Sequence, residues 1–226
     1  AIKDITPALI TECRDELKAT PYKTGKTEKQ RTDATVNRYV ASLSPVMAAA
    51  TKDWGWIADN PCLKVRRGTE SRGRTRFLTN DERKRLLEAC DQASDTPELK
   101  TIVLLAITTG GRRGELSGLR WRDVDLKRKR VTFEDTKNGE TRAAPLSGPA
   151  LHAMQDWAKV RPLNDSAFVF SGRTEKTKGK QLDFQSPWKT AIKRAELEDF
   201  RFHDLRHTAA SYLAMHGAGL REIADI

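Results

Sequence analysis

Cysteine, long apolar runs and acidic surplus are all scarce in this sequence. Its three cysteines, Cys13, Cys62 and Cys90, stand far apart and show no CxxC or Cys/His ligand spacing. Neither a disulfide framework nor a zinc site is indicated, and they read as plain thiols of a reducing compartment. No apolar stretch nears the roughly 20 residues that span a bilayer, and the N-terminus lacks the basic, apolar and small-residue order of a signal peptide. A cytoplasmic protein with no membrane partner is expected. What is present in quantity is positive charge: 41 Lys and Arg against 31 Asp and Glu, a formal net charge of +10 over 226 residues. Such a surface seeks a polyanion, nucleic acid first, although charge alone also fits a solvated basic protein.

Along the chain, residues 1–63 alternate helical stretches with polar breaks. Helices are expected at 6–19, at 28–53 with a break at Ser44-Pro45, and at 54–58, before Asn60-Pro61 ends the unit. Residues 64–76 contain five arginines, two glycines and one large apolar residue, the composition of a linker. It is either a solvated tether or a basic strap following a phosphate backbone. Residues 77–226 open on Thr79-Asn80-Asp81-Glu82, a helix-start signal with Leu86, Leu87 and Cys90 at helical spacing behind it. A buried helix at 99–108 follows. Then RVTFED and TRAAPLS flank Lys137-Asn138-Gly139-Glu140, and Asn-Gly between β-prone runs predicts a hairpin whose tip lies beside Lys137. Leu151, Met154, Trp157 and Ala158 predict a helix over 148–160, residues 167–170 a short strand, and 186–197 and 203–215 two more helices, with a last one from about Leu220. The expected fold is therefore two domains: an all-α N-terminal bundle at 1–63 and a mixed α/β domain at 77–226, mostly helical with a small antiparallel sheet.

Three separated segments offer cations that could meet at one phosphate: 109–115 (TTGGRRGE from residue 108), 136–139 (TKNG) and 203–207 (HDLRH). In the third, His203, Arg206 and His207 stand at i, i+3 and i+4, which a helix presents on one face near its N-terminus. A metal pair from His203 and His207 lacks a third ligand of suitable spacing, and a merely structural histidine pair stays open on local sequence.

TTGGRRGELSGLRW, the lysine in RVTFEDTKNGE, and RFHDLRHTAASYLAMHGAGLREIADI resemble, in order and separation, the active-site boxes of phage-type integrases of the tyrosine recombinase family. ATVNRYVASLSPVMAAATKDWGWIADNP is similar to the helical core-binding domain that precedes the catalytic domain in such enzymes, and TRFLTNDERKRLLEA to the start of that catalytic domain.

The resemblance implies Arg112 and Arg206 as catalytic arginines, Lys137 as the hairpin lysine and His203 as the catalytic histidine, with Glu115 and His207 in support. These residue types suit the chemistry. Two guanidiniums offer forked donors to the non-bridging oxygens of a phosphorane-like state without a metal, a lysine can protonate the leaving 5′ oxygen, and an imidazole can share proton handling. Glu115, three residues after Arg112, would orient it, unless the two form only an exposed surface pair. Arg113 is assigned to structure or DNA backbone. For the core-binding domain and linker the expected duplex contacts are Lys23, Thr24, Lys26, Lys29, Arg31, Thr35, Asn37, Arg38, Arg72 and Arg74, set against a plain solvated face.

The implied function is site-specific recombination of double-stranded DNA at attachment-type sites, through a 3′-phosphotyrosyl intermediate. It would run in a homotetramer on DNA in the full-length enzyme, with no metal, ATP or other cofactor, in a bacterial or phage-encoded protein. Such enzymes continue past a motif like IADI into a Leu-Gly-His box and a nucleophilic tyrosine, whereas this sequence stops at Ile226. Such enzymes often carry a further arm-binding domain, and none is expected within a sequence that opens at Ala1-Ile2-Lys3. Tyr22, Tyr39 and Tyr212 do not occupy the nucleophile position, and Tyr212 reads as a packing residue. The chain as given is expected to bind DNA without cleaving it. The alternatives are a non-catalytic DNA-binding regulator or integrase remnant, and a relaxing topoisomerase with similar boxes.

Overall fold

A computed structural model describes residues 1–71, 73–134, 141–160, 167–172 and 174–224. The chain divides into two compact units, 1–73 and 74–226. The described residues are mostly helical, with one two-stranded and one three-stranded antiparallel sheet among them.

In the first unit, Thr6 starts helix α1 (Pro7–Ala19) by accepting a hydrogen bond from the Leu9 amide, with Pro7 in the first turn where its missing N–H costs nothing. Thr32 does the same for α2 (Asp33–Lys52) through the Thr35 amide. Ile10 of α1, Val40 and Met47 of α2, and Cys62 and Val65 beyond them form a small apolar core.

Three expectations fail in this unit, each for a local reason. Helix α2 begins at Asp33 and not at 28, because Tyr22–Thr24 (β1) and Thr27–Lys29 (β2) pair as an antiparallel hairpin. Its two-residue turn opens on Gly25 at φ +61°, a conformation glycine adopts freely and a hairpin of this length requires. The unit is therefore not all-α. Secondly, Pro45 lies inside α2 without breaking it. The proline removes one ladder bond, but Val40 before it and Met47 after it enter the same core, and the Asn60 amide bonds the Ser44 carbonyl at 3.0 Å. Thirdly, residues 54–58 form no helix: Gly55 turns left-handed at φ +64°, leaving Trp54 and Trp56 exposed against each other, ring centroids 4.6 Å apart.

The stretch read as a tether is partly built into this unit. Val65 is buried, the Arg66 carbonyl accepts from Arg14, and Asn37 binds Gly68 through both backbone groups while its amide also donates to Glu70.

In the second unit, the helix start expected at Thr79 is present and takes the form of a capping box. Thr79 Oγ1 accepts from the Glu82 amide and Glu82 Oε2 from the Thr79 amide, starting α3 (Asn80–Asp91). The apolar α4 (Glu98–Thr109) is the central element, buried at Leu99, Ile102, Val103, Leu105 and Ala106 and packed on α3, α6 (Gly148–Val160) and α8 (Asp204–Met215). Between them lie the short α5 (Arg113–Gly118), a sheet ordered β3 (Val124–Asp125), β4 (Arg130–Phe133), β5 (Arg142–Pro145), and α7 (Gln185–Arg194); α9 (Leu220–Ala224) follows α8. Strands β4 and β5 pair as the predicted hairpin, Phe133 opposite Arg142. The expected strand at 167–170 is reduced to a single bridge, Arg120 to Phe168.

Glu82 also holds Arg76 through both oxygens. Hydrogen bonding by the Arg76 guanidinium comes first among the causes that lower its carboxyl from 4.5 to about 2, with the Thr79 amide adding to it and burial opposing. A carboxyl depressed in the folded state stabilises fully above 4.5, and that stability is lost as pH falls toward 2. Glu82→Gln is therefore expected to cost about 2 kcal/mol at neutral pH in urea unfolding, a difference that shrinks as pH is lowered through this window.

Candidate nucleic-acid and phosphodiester site

The site is built at the corner between α4 and α5. Helix α4 ends at Gly110, left-handed at φ +63°, whose amide returns to the Ala106 carbonyl. Gly111 follows in tight quarters: a Cβ there would lie 3.0 Å from the Leu116 side chain and 3.2 Å from the Phe133 ring. This turn delivers Arg112 to the N-cap of α5, where Glu115 satisfies its amide at 2.9 Å and its guanidinium at 2.6 Å. The pair is not a loose surface contact, since the Glu115 side chain is only 8% exposed.

Arg206 arrives from α8, 96 residues away from Gly110, and its Nη1 donates to the Gly110 carbonyl at 2.8 Å. Burial first, then the charges of Arg112 and Arg142, push the Arg206 guanidinium down to about 10, against the opposing pull of Glu115. His203 sits at the N-cap of α8 with its ring edge-on to His207, centroids 5.3 Å apart. Burial, then the like charges of His207 and Arg206, hold its imidazole below the usual range, with Arg112 adding and Asp204 opposing. At neutral pH it is therefore mostly neutral and able to accept a proton.

Arg112 and Glu115 at α5 and His203, Arg206 and His207 at α8 thus form one cluster from two elements. Lys137 lies outside the described residues. Among the described residues no group of three or more His, Cys, Asp and Glu could hold a metal ion.

One member of the cluster escaped the sequence reading. Arg142, on β5, donates from Nη2 to Glu115 at 3.2 Å and from Nη1 to the Thr109 carbonyl at 2.8 Å, with its guanidinium over the Phe133 ring at 4.8 Å. The available signal was alternation: Arg142 shares a strand face with buried Ala144, and an arginine on an inward face must find an anion.

The expected duplex contacts divide. Lys23, Thr24, Lys26 and Lys29 are exposed on the first unit's hairpin, and Arg38 is exposed on α2. Register places Tyr22, Thr24, Thr27 and Lys29 on one face of that hairpin and Lys23, opposite Glu28, on the other. Thr35 is half-buried beside the Thr32 cap, and Arg31 is spent on the Thr20 and Leu17 carbonyls and the Tyr22 ring. Asn37 is buried with its amide fully used, so it is a structural residue and not an adenine reader. Arg74 is likewise committed, to Asp199 and Asp204. Arg72 lies outside the described residues. Tyr212 donates its hydroxyl to the Leu78 carbonyl at 3.1 Å, and burial raises its phenol.

Residues 76–226 match the model of the phage integrase family. The chain belongs to that family. This integrase-family chain is 34% identical over 202 residues to a shufflon-specific DNA recombinase of Escherichia coli, covering 89% of the chain and 49% of the relative. In fold it is similar to the Tn1549 transposon integrase solved with circular intermediate DNA (TM-score 0.77, 18% identity, 99% of this chain and 77% of that one). It is also similar to lambda integrase solved as a tetramer on a Holliday junction (TM-score 0.67, 21% identity, 99% and 63%). The chain spans about half the length of the curated relatives it matches. No described helix is long and apolar enough to cross a membrane.

Proposed function

We propose that this chain is the core-binding and catalytic portion of a site-specific DNA recombinase. Residues 1–63 form the core-binding module and 77–226 the catalytic one, and the Arg112–Arg206 cluster receives the scissile phosphate. The observation that carries this reading is the meeting of two guanidiniums from distant segments at the Gly110 corner, beside a largely neutral imidazole. Their outward donors suit the non-bridging oxygens of a phosphodiester, whose charge grows in the transition state.

In the full-length protein a tyrosine attacks the phosphate, a 3′-phosphotyrosyl bond keeps the energy of the broken linkage, and the 5′ oxygen leaves with a proton from Lys137. His203 handles a proton at the phosphate, and Glu115 holds Arg112 in place. The protein works in the cytoplasm as a tetramer on duplex DNA, as lambda integrase does on its junction. The exposed lysines of the first unit's hairpin and Arg38 meet the backbone at attachment-type sites. A hairpin with no buried face gains little from folding by itself, and contact with a polyanion gives it a use.

The test is covalent capture: full-length protein with nicked suicide duplexes drawn from the DNA flanking its gene should yield a protein–DNA adduct stable to denaturation. Absence of any adduct overturns the reading. Duplex affinity should also fall by about 10³-fold between roughly 50 and 200 mM salt, because each neutralised phosphate releases counterions; a flat response in a filter-binding titration contradicts a backbone-tracking surface.

A further inference from the structure

We propose that Arg142 is a positioning residue of this site: it holds Glu115 and the end of α4 from the strand side, so that Arg112 is presented to the substrate in one orientation. The proposal rests on the recombinase reading for its kinetic consequence, and on contacts alone for its structural one.

The geometry is a relay. Glu115 Oε1 takes the Arg112 guanidinium, while Oε2 takes both the Arg112 amide and Arg142 Nη2. The second arm of the Arg142 fork reaches the Thr109 carbonyl, the last residue of α4 and the start of the turn that delivers Arg112. One side chain on β5 therefore ties together the carboxylate that aims Arg112 and the corner that carries it. Only a planar fork with separated donors makes both bonds at once, and Phe133 backs the guanidinium face.

Two features separate Arg142 from a ligand-binding arginine. Its side chain is 15% exposed against 33% for Arg112, so its charge is turned inward. It is also a costly way to fill the space: Arg142 Nε is buried with no hydrogen-bond partner among the described residues, and its charge adds to the repulsion on Arg206. An apolar side chain would avoid both costs, and would leave Glu115 free to swing and Arg112 with it. Arg142 also stands five residues after Lys137 in the sequence, and its clamp anchors β5 to the arginine corner.

The test uses Arg142→Gln, Arg142→Lys, Glu115→Gln and the Arg142→Gln/Glu115→Gln double variant. In the 226-residue chain itself, side-chain ¹⁵N spectra should show slow guanidinium rotation at Arg112, lost in Arg142→Gln and only partly restored in Arg142→Lys, whose single ammonium cannot reach both oxygens. In full-length protein, cleavage at saturating duplex should slow by about 30-fold in Arg142→Gln with Kd for duplex changed less than about 3-fold, the scale on which supporting residues act. Because Arg142 acts through Glu115, the double variant should cleave about as slowly as Glu115→Gln alone and not by the product of the two losses. The proposal is overturned by unchanged Arg112 spectra in Arg142→Gln, by near-parental cleavage, or by multiplicative losses. If the parent forms no adduct, it is the recombinase reading that fails, and the Arg112 spectra still decide whether Arg142 holds the arginine.

Discussion

Alanine in place of Arg206 should lower covalent adduct formation on a suicide duplex by at least about 100-fold in the full-length protein, with a much smaller loss of duplex affinity. The asymmetry follows from where the charge is held. Arg206 spends one donor on the Gly110 carbonyl and sits partly buried beside Arg112, with Arg142 also acting on it. Three guanidiniums around one carboxylate leave two positive charges unbalanced, and this repulsion adds to burial, the larger cause, in lowering the Arg206 guanidinium to about 10. It remains charged at neutral pH. The site is therefore short of negative charge, and it gains most when the phosphate carries most of it. On the proposed function, ground-state binding would draw instead on many exposed lysines and arginines, so that losing one should cost affinity little.

Arg206→Lys sharpens the expectation. It keeps the charge and loses the fork, so it should fall between the parent and Arg206→Ala. Arg112→Ala should be at least as damaging as Arg206→Ala but harder to interpret, since it also strips Glu115 of one of its two guanidinium partners. Adduct yield within about threefold of the parent for both alanine variants would remove the cluster from the chemistry altogether.

How much of this was legible in the sequence depends on how local each signal is. The Thr79–Glu82 capping box is complete within four residues, and the apolar face of α6 repeats at Leu151, Met154 and Trp157, so both could be read directly. Arg112 with Glu115, and His203 with Arg206 and His207, are one-turn relationships and were equally open. The first hairpin was not: every residue of β1 and β2 is exposed, so no apolar alternation marks them, and only Gly25 at the turn gave a hint. Arg142 was missed for the opposite reason. Its meaning lies in partners 27 and 33 residues away, which no local pattern names. Arg74 and Asn37 misled through their type, since a basic or amide side chain in a polar stretch looks like a ligand for DNA until its carboxylate or backbone partner is seen.

Asp204 gives the largest expected effect on stability. Its carboxylate is 1% exposed and accepts from Arg74 at 2.9 and 3.2 Å and from the Arg201 amide at 2.8 Å. Thr208 Oγ1, in turn, donates to the Asp204 carbonyl at 2.9 Å and accepts from the Leu78 amide at 3.0 Å. The start of α8 is thereby bound to residues 74–78, the beginning of the second unit. Burial alone would raise this carboxyl, but the Arg74 hydrogen bonds, the Arg201 amide and the Arg74 charge together hold it below 3.8. Its contribution is therefore complete above that value and is lost as pH falls below it. Asp204→Ala removes a buried acceptor and strands the groups aimed at it, a loss of about 3 kcal/mol in urea unfolding at neutral pH. Asp204→Asn, which keeps an acceptor for the Arg201 amide, should lose less. Since α8 carries His203 and Arg206, the same change should speed amide hydrogen exchange across Leu205–Ala209 and blunt cleavage without touching the phosphate. Unfolding of Asp204→Ala within about 0.5 kcal/mol of the parent would mean that the helix is held by its apolar face alone, Leu205 and Ala209 against α4, and that the ion pair is incidental.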